Sequence, residues 1–327
     1  MGIVVIGRDE GERLRRCLES VHGAGVVVYV DSGSSDGSAD MAPALGASVV
    51  MLDRSMPFTA ARARNAGLSR LLELAPSTEF VQFVDGDCEL ARNWFPRAST
   101  AMAADPRIAA VCGRRRERHP EASIYNRLCD LEWDTPIGEA RACGGDALMR
   151  VAALREVGGY DPRLIAGEEP ELCVRLRQRG YRILRIDSEM TTHDAAMARF
   201  GQWWHRMVRA GHAFAEGAAM HGAPPERHWV RETRSAMLWG GAVPAAAAAL
   251  APATLGASLV ALAWAYLVQM ARITNRERRR RKHLGDAALW AASCMVAKFP
   301  QLQGAVQFRL SALAGWHRQV IDYKRSP

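Results

Sequence analysis

Between Ile3 and Ile186, short apolar runs alternate with stretches of helical periodicity, and several of the runs end in aspartate. "IVVIG" reads as a buried strand. "EGERLRRCLESV" follows it, with Leu14, Cys17, Leu18 and Val21 recurring at helical spacing. "VVVYVD", "SVVML" and "EFVQFVDGD" repeat the strand signal, and a Gly/Ser/Asp loop and the helical stretch "FTAARARNAGLSRLLELA" lie among them. This spacing predicts βαβ units and a mostly parallel sheet flanked by helices. Open α/β sheets bind ligands beyond the carboxyl ends of their strands. Asp31, Asp36, Asp85 and Asp87 fall at such ends.

The stretch "FVDGDCEL" sets two carboxylates one residue apart just after an apolar run. Uncompensated, they would repel and raise each other's pKa. A divalent cation bound by oxygen ligands turns that cost into a gain.

After about Ala195 the character changes. "RFGQWWHRMVRAGHAFAEG" is aromatic and basic, and from Ala236 to Ala271 there is no Asp, Glu, Lys, Arg or His. That span exceeds one transmembrane helix of about 20 residues, and Pro244 and Pro252 interrupt it. It therefore predicts a hairpin of two short helices, about 236–250 and 254–271, either at a membrane or packed as a soluble helical pair. The chain of 327 residues carries a net charge of +8, and much of the excess sits in the run 272–283 beside this apolar segment. Basic residues gather on the cytoplasmic side of a membrane segment, so the charge points to a membrane surface and away from nucleic acid. The seven cysteines are scattered, with no Cys-x-x-Cys pair, which excludes a disulfide framework and a zinc motif and fits a reducing cytosol. No basic region followed by a long apolar run opens the sequence, so no secretory signal is expected.

Read in order, these pieces resemble the family 2 glycosyltransferases, enzymes of the GT-A fold that move a sugar from a nucleotide donor to an acceptor. The resemblance covers roughly residues 3–215. It implies that "VVIGRDEGERL", with Ile6 and Arg8, contacts the nucleotide, and that Asp31 of "VYVDSGSSDGS" holds the base edge while Asp36 closes the turn. Arg64 and Asn65 of "ARARNAGL" would lie near the donor, and Gly145 of "GGDALMR" beneath donor and acceptor. "VDGDCEL" matches the Asp-x-Asp motif, making Asp87 a metal ligand and Asp85 its partner at the ribose or the metal. His193 of "TTHDAAM" stands at the position of a late metal-ligand histidine. Glu169 in "GEEPELCVRLRQRG" matches the general base, although Glu replaces the family's Asp there and Glu168 stays open as the alternative. The implied cofactor is Mn2+ or Mg2+. The implied partners are a nucleotide-sugar donor, a UDP-sugar first among them, and a lipid-linked or saccharide acceptor at the cytoplasmic face of a membrane. Single displacement by the acceptor implies inversion. The resemblance divides the chain into a catalytic domain over 1–222 and a helical region over 223–327 that holds the hairpin, the basic run and terminal helices.

Each residue also has an ordinary explanation. Asp31 and Asp36 suit turns, and Glu168 and Glu169 suit the first turn of any helix, where the dipole favours acids. Pro170 just inside that start is equally ordinary. Gln202, Trp203, Trp204 and Arg206 carry the residue types of a processive synthase's Gln-x-x-Arg-Trp in another order, and they also suit an amphipathic interfacial helix. Two other classes compete. A sugar nucleotidyltransferase would want a more basic, Gly-rich first loop than "GRDEGERL", and an inactive membrane-bound scaffold would not need Asp87, Glu169 and His193 together.

Overall fold

The computed structural model describes residues 1–280 and 283–314. In chain order the first elements are β1 (Gly2–Gly7), α1 (Glu12–Ser20), β2 (Val26–Asp31), α2 (Ser38–Met41), β3 (Ala47–Met51) and α3 (Ala60–Leu74). Then come β4 (Phe80–Asp85), β5 (Cys88–Leu90), α4 (Trp94–Ala104), β6 (Ile108–Glu117), α5 (Ile124–Trp133) and β7 (Gly138–Ala140). β8 (Ala147–Arg150), α6 (Val151–Glu156), α7 (Glu168–Gln178) and β9 (Arg182–His193) complete the α/β part. The helical part holds α8 (Phe200–His221), α9 (Val230–Met237), α10 (Val243–Leu250), α11 (Ala257–Glu277), α12 (Leu284–Val296) and α13 (Lys298–Ala314). Two compact units result: one of residues 1–121 and 132–196, the other of 122–131 and 197 onward.

The first unit is built on a nine-stranded sheet in the order β3-β2-β1-β4-β8-β6-β9-β5, with β7 added on β9. β3, β2, β1 and β4 are mutually parallel, which is the βαβ half the sequence announces. β8 then runs antiparallel to both β4 and β6, making the sheet mixed. β1 and β2 are covered on both faces, so they read as continuous apolar runs instead of alternating ones. The helix after β2 is short. α2 gives way to a 3-10 turn over Ala42–Leu45 with Pro43 in its first turn, and proline cannot donate the bond an α-helix would require there.

Two details fix the strand ends. The Gly86 N–H donates to the Ile6 carbonyl at 2.8 Å, stapling the Asp-Gly-Asp bend to the end of β1. Thr59 caps α3 by accepting from the Arg62 N–H, and Gly67 lets the helix approach the sheet. A Cβ on Gly67 would lie 2.3 Å from Val4 Cγ1 and 2.9 Å from Val30 Cγ2.

In the second unit α8 and α13 pack closely. A Cβ on Gly211 would meet the Gln301 carbonyl at 2.0 Å, and one on Gly304 the Val208 carbonyl at 1.9 Å. Trp203 is buried and stacks on Phe200 with ring centroids 5.7 Å apart, while the Trp204 indole donates to Gln303. Gln202 is spent on accepting the N–H groups of Ala198 and Arg199 at the start of α8.

The apolar segment differs in detail from its sequence expectation. Pro244 does not interrupt the first helix, because a π-helical turn over Leu238–Ala242 joins α9 to α10 and places the proline at the start of α10. The second helix starts at Ala257, not Thr254, and runs on past Ala271 to Glu277. The Ser258 hydroxyl donates to the Ala247 carbonyl at 2.7 Å and the Tyr266 hydroxyl to the Trp239 carbonyl, so the two arms run antiparallel. By length and composition α11 could cross a membrane. Of the basic run, Arg281 and Lys282 lie outside the described residues.

The approach at Gly67 yields a sign test. Alanine is the better helix former by about 1 kcal/mol, yet Gly67→Ala should lower stability by about 1–3 kcal/mol through overpacking against Val4 and Val30. Urea denaturation checks it, and a stability gain would show that α3 does not press on the sheet.

Candidate active site

The site forms where β4, β6 and β9 end and β5 begins. Asp85 closes β4 and Asp87 precedes β5. β9 ends between β5 and β6, with His193 in register with Cys88 on one side and Glu117 on the other. That register brings Asp87 and His193, 106 positions apart in the chain, to a carboxylate–imidazole separation of 3.3 Å. His193 Nδ1 faces Glu117 Oε2 at 3.4 Å, and the Trp133 ring meets the imidazole edge-on. Glu117 is itself held by the Ala195 N–H. All three polar residues are buried. Burial alone would lower the imidazole's pKa, but the charge of Asp87 and the hydrogen bonds to Asp87 and Glu117 outweigh it. His193 therefore holds its proton above the usual histidine value.

Asp85 is bound by two guanidiniums. Arg64 Nη2 donates to one carboxylate oxygen at 2.9 Å and Arg115 Nη2 to the other at 3.1 Å. Burial would raise this carboxyl, but the two arginines outweigh burial and keep it below the usual carboxylate range. Arg64 also donates to Glu168 at 2.7 Å, and Arg115 Nε lies 3.4 Å from Asp146. Asp146 has no solvent exposure. It accepts from the Asp85 N–H and the Thr191 hydroxyl, and burial lifts its pKa against the pull of Arg115. The Arg115 guanidinium also sits 4.8 Å over the Trp133 ring.

Gly145 lies against this pair. A Cβ there would be 2.8 Å from both Arg64 Nη2 and Asp85 Oδ2, so a side chain at this position would make one of them shift.

Glu168 and Glu169 open α7 but point to different surroundings. Glu168 pairs with Arg64 and so joins the Asp85 group. Glu169 is buried, and its Oε1 accepts from the Cys143 N–H at 2.7 Å and from the thiols of Cys143 and Cys173 at 3.1 and 2.9 Å. Burial pushes the Cys173 thiol up to about 11, so it stays a donor.

The remaining sequence-chosen residues lie on or beside the β1, β2 and α3 ends. Asp31 is fully enclosed, taking bonds from the Tyr29 hydroxyl and from the N–H groups of Gly33 and Ser34, and so it shapes the loop after β2. Asp36 closes its turn by accepting from the Ser38 N–H. Arg8 is exposed and lies 5.6 Å over the Phe58 ring, while the buried Ile6 contributes its carbonyl to the Gly86 staple. Asn65 is spent on the backbone of Tyr160, donating to its carbonyl and accepting its N–H.

Arg115, Glu117, Trp133 and Asp146 were not singled out from the sequence. Arg115 and Glu117 sit inside the run "RRRERH", which reads as a solvated charge cluster. The available signal was strand parity: positions two apart on β6 share a face.

Asp87 and His193 suit a divalent cation of the Mn2+ or Mg2+ kind. One carboxylate oxygen and one imidazole nitrogen already converge, the pairing is tolerant of Mn2+, and a carboxylate behind the imidazole is the usual support for a metal-bound histidine. Cys88 also offers its sulfur within 4.8 Å of both donors.

This mixed sheet, with its acidic bend between β4 and β5, is the GT-A fold. Over 94% of its length the chain superposes on a mannosyltransferase of Pyrobaculum calidifontis, solved with GDP-mannose and Mn2+, with a TM-score of 0.60 at 21% identity and 86% of that chain covered. Residues 3–158 match the family model described as glycosyl transferase family 2. Among curated relatives, the pre-mycofactocin glycosyltransferase of Mycobacterium tuberculosis is 26% identical over 67% of this chain. The match spans 47% of that relative's length. The succinoglycan biosynthesis protein ExoA of Rhizobium meliloti is 23% identical over 96% of this chain and 91% of its own.

Removing Arg115 tests the charge network. Arg115→Met leaves Asp146 buried without its counter-charge and should cost about 3–5 kcal/mol in urea denaturation. Adding Asp146→Asn removes the stranded charge and should restore more than ~1 kcal/mol. Strict additivity of the two substitutions would contradict the coupling.

Proposed function

We propose that the chain is an inverting, metal-dependent glycosyltransferase that moves a sugar from a nucleotide-sugar donor to an acceptor hydroxyl, in glycolipid or cell-surface polysaccharide biosynthesis. One observation carries the reading: Asp85, Asp87, Glu117, Asp146 and Glu168 gather in one group with Arg64, Arg115 and His193. A divalent cation bound in this group would offset the repulsion among its acids.

Asp87 and His193 would hold Mn2+ or Mg2+, with Asp85 beside them, and the ion supplies charge neutralisation to a departing diphosphate. The nucleotide end is assigned to Ile6, Arg8 and the loop that Asp31 shapes. Arg64, oriented by Asp85 and Glu168, presents positive charge toward the donor, with Asn65 fixing the backbone behind it. Gly145 gives the donor sugar close approach. A UDP-sugar is the donor proposed first.

Glu169 is assigned as the general base. Its Oε1 is anchored by an amide and two thiols, and among the described residues no hydrogen bond engages Oε2, which is left to take the acceptor's proton. As that proton leaves, the acceptor oxygen bonds to the anomeric carbon and the bond from that carbon to the phosphate oxygen breaks. A single displacement inverts the configuration. Proton transfer of this kind contributes roughly 10²–10⁴ in rate.

Catalysis is assigned to residues 1–222 and membrane association, at the cytoplasmic face, to 223–327. The relation to a succinoglycan biosynthesis protein along nearly the whole chain supports a saccharide or lipid-linked acceptor.

Two variants test these roles. Asp87→Ala should abolish transfer and the Mn2+-dependent thermal shift given by a nucleotide sugar, with the far-UV spectrum unchanged, and retained turnover would remove the metal assignment. Glu169→Gln should lower kcat about 10²-fold or more with donor affinity nearly intact. If Glu168→Gln shows that loss instead, the base is Glu168.

A further inference from the structure

The helical pair formed by α9–α10 and α11 is apolar where it faces solvent. Leu255 at the turn between the arms is 97% exposed, Val260 71% and Trp264 68%, and Leu250 and Leu267 are exposed as well. No residue of α11 before Glu277 is buried. Contiguous apolar surface of this kind marks an interaction site.

Three observations identify the partner as lipid. First, the hydroxyls and several backbone groups of the pair are bonded within it. The Thr254 hydroxyl donates to the Leu250 carbonyl, that of Ser258 to Ala247 and that of Tyr266 to Trp239. In the turn, the N–H groups of Thr254, Gly256 and Ala257 donate to Leu250, Ala251 and Thr254. Such internal pairing is what hydrocarbon demands of an inserted turn.

Second, the charges lie at one end. Arg231 and Arg234 precede the first arm's uncharged stretch, and Arg272, Arg276, Arg278 and Arg279 follow the second arm's. All six are exposed, and the antiparallel pairing of the arms puts them at the end opposite Leu255.

Third, the arms are short. The uncharged stretches 236–250 and 257–271 each rise about 22 Å at 1.5 Å per residue, against a hydrocarbon core of about 30 Å. The turn itself carries no charged or aromatic residue to seat in a second headgroup layer.

We infer that this pair is a re-entrant hairpin. It enters one leaflet of an anionic bilayer, turns at Ala251–Gly256 inside the hydrocarbon, and returns to the surface it came from. The arginines at its open end meet anionic headgroups. The inference rests on the membrane association proposed above and adds that the hairpin does not cross.

The test uses the full chain reconstituted in phosphatidylglycerol-containing vesicles. Leu255→Cys in a Cys294→Ser background carries an NBD fluorophore, the other six cysteines being buried. Flotation with the vesicles is expected. NBD emission should be blue-shifted, quenched most by lipids spin-labelled within the acyl chain, and resistant to dithionite added outside or trapped inside. Dithionite quenching from one side only, with flotation retained, would show that the turn reaches a headgroup surface and would overturn re-entrance while leaving membrane association standing. Failure to float, with the chain monomeric or self-associated in solution, would overturn both.

Discussion

The Asp85 carboxylate gripped by Arg64 and Arg115 is the contact on which the first unit's geometry depends. Each arginine carries a second acid: Glu168 at the head of α7 for Arg64, and the enclosed Asp146 before β8 for Arg115. Four segments distant in sequence are thereby fixed around one bend. A buried pair of this kind contributes less to net stability than to position, since desolvation offsets much of its Coulomb energy. Its value here is orientation. It fixes the bend at which Asp87 meets His193, whose strand position between β5 and β6 is set independently by sheet register.

The parallel half of the sheet was legible because its strands are buried on both faces and its helices are periodic. Asp85, Asp87 and His193 could be chosen from order along the chain. Their supports could not. Arg115 and Glu117 were concealed in a basic run, since nothing local distinguishes a charge facing a buried neighbour from one facing water. Asp146 became visible only when β8 was seen to insert between β4 and β6. The two glutamates of "GEE" are adjacent in sequence and equivalent in composition, yet helix geometry turns them about 100° apart, one toward Arg64 and the other toward two thiols. Pro244 misled for the opposite reason: its local rule is sound, but a π turn just before it absorbs the missing bond.

His193 stands between two acids, Asp87 and Glu117, and the charge of Asp87 helps to raise its pKa. Ligation by an imidazole needs the neutral ring, so a cation held at this strand end would compete with that proton.

The most direct measurement is electron spin-echo spectroscopy of Mn2+ bound to the protein with a nucleoside diphosphate. The account predicts modulation from one directly coordinated imidazole nitrogen, lost in His193→Gln while the Mn2+ signal of the nucleotide complex persists. Bound Mn2+ with no nitrogen modulation in the unmodified protein would contradict it.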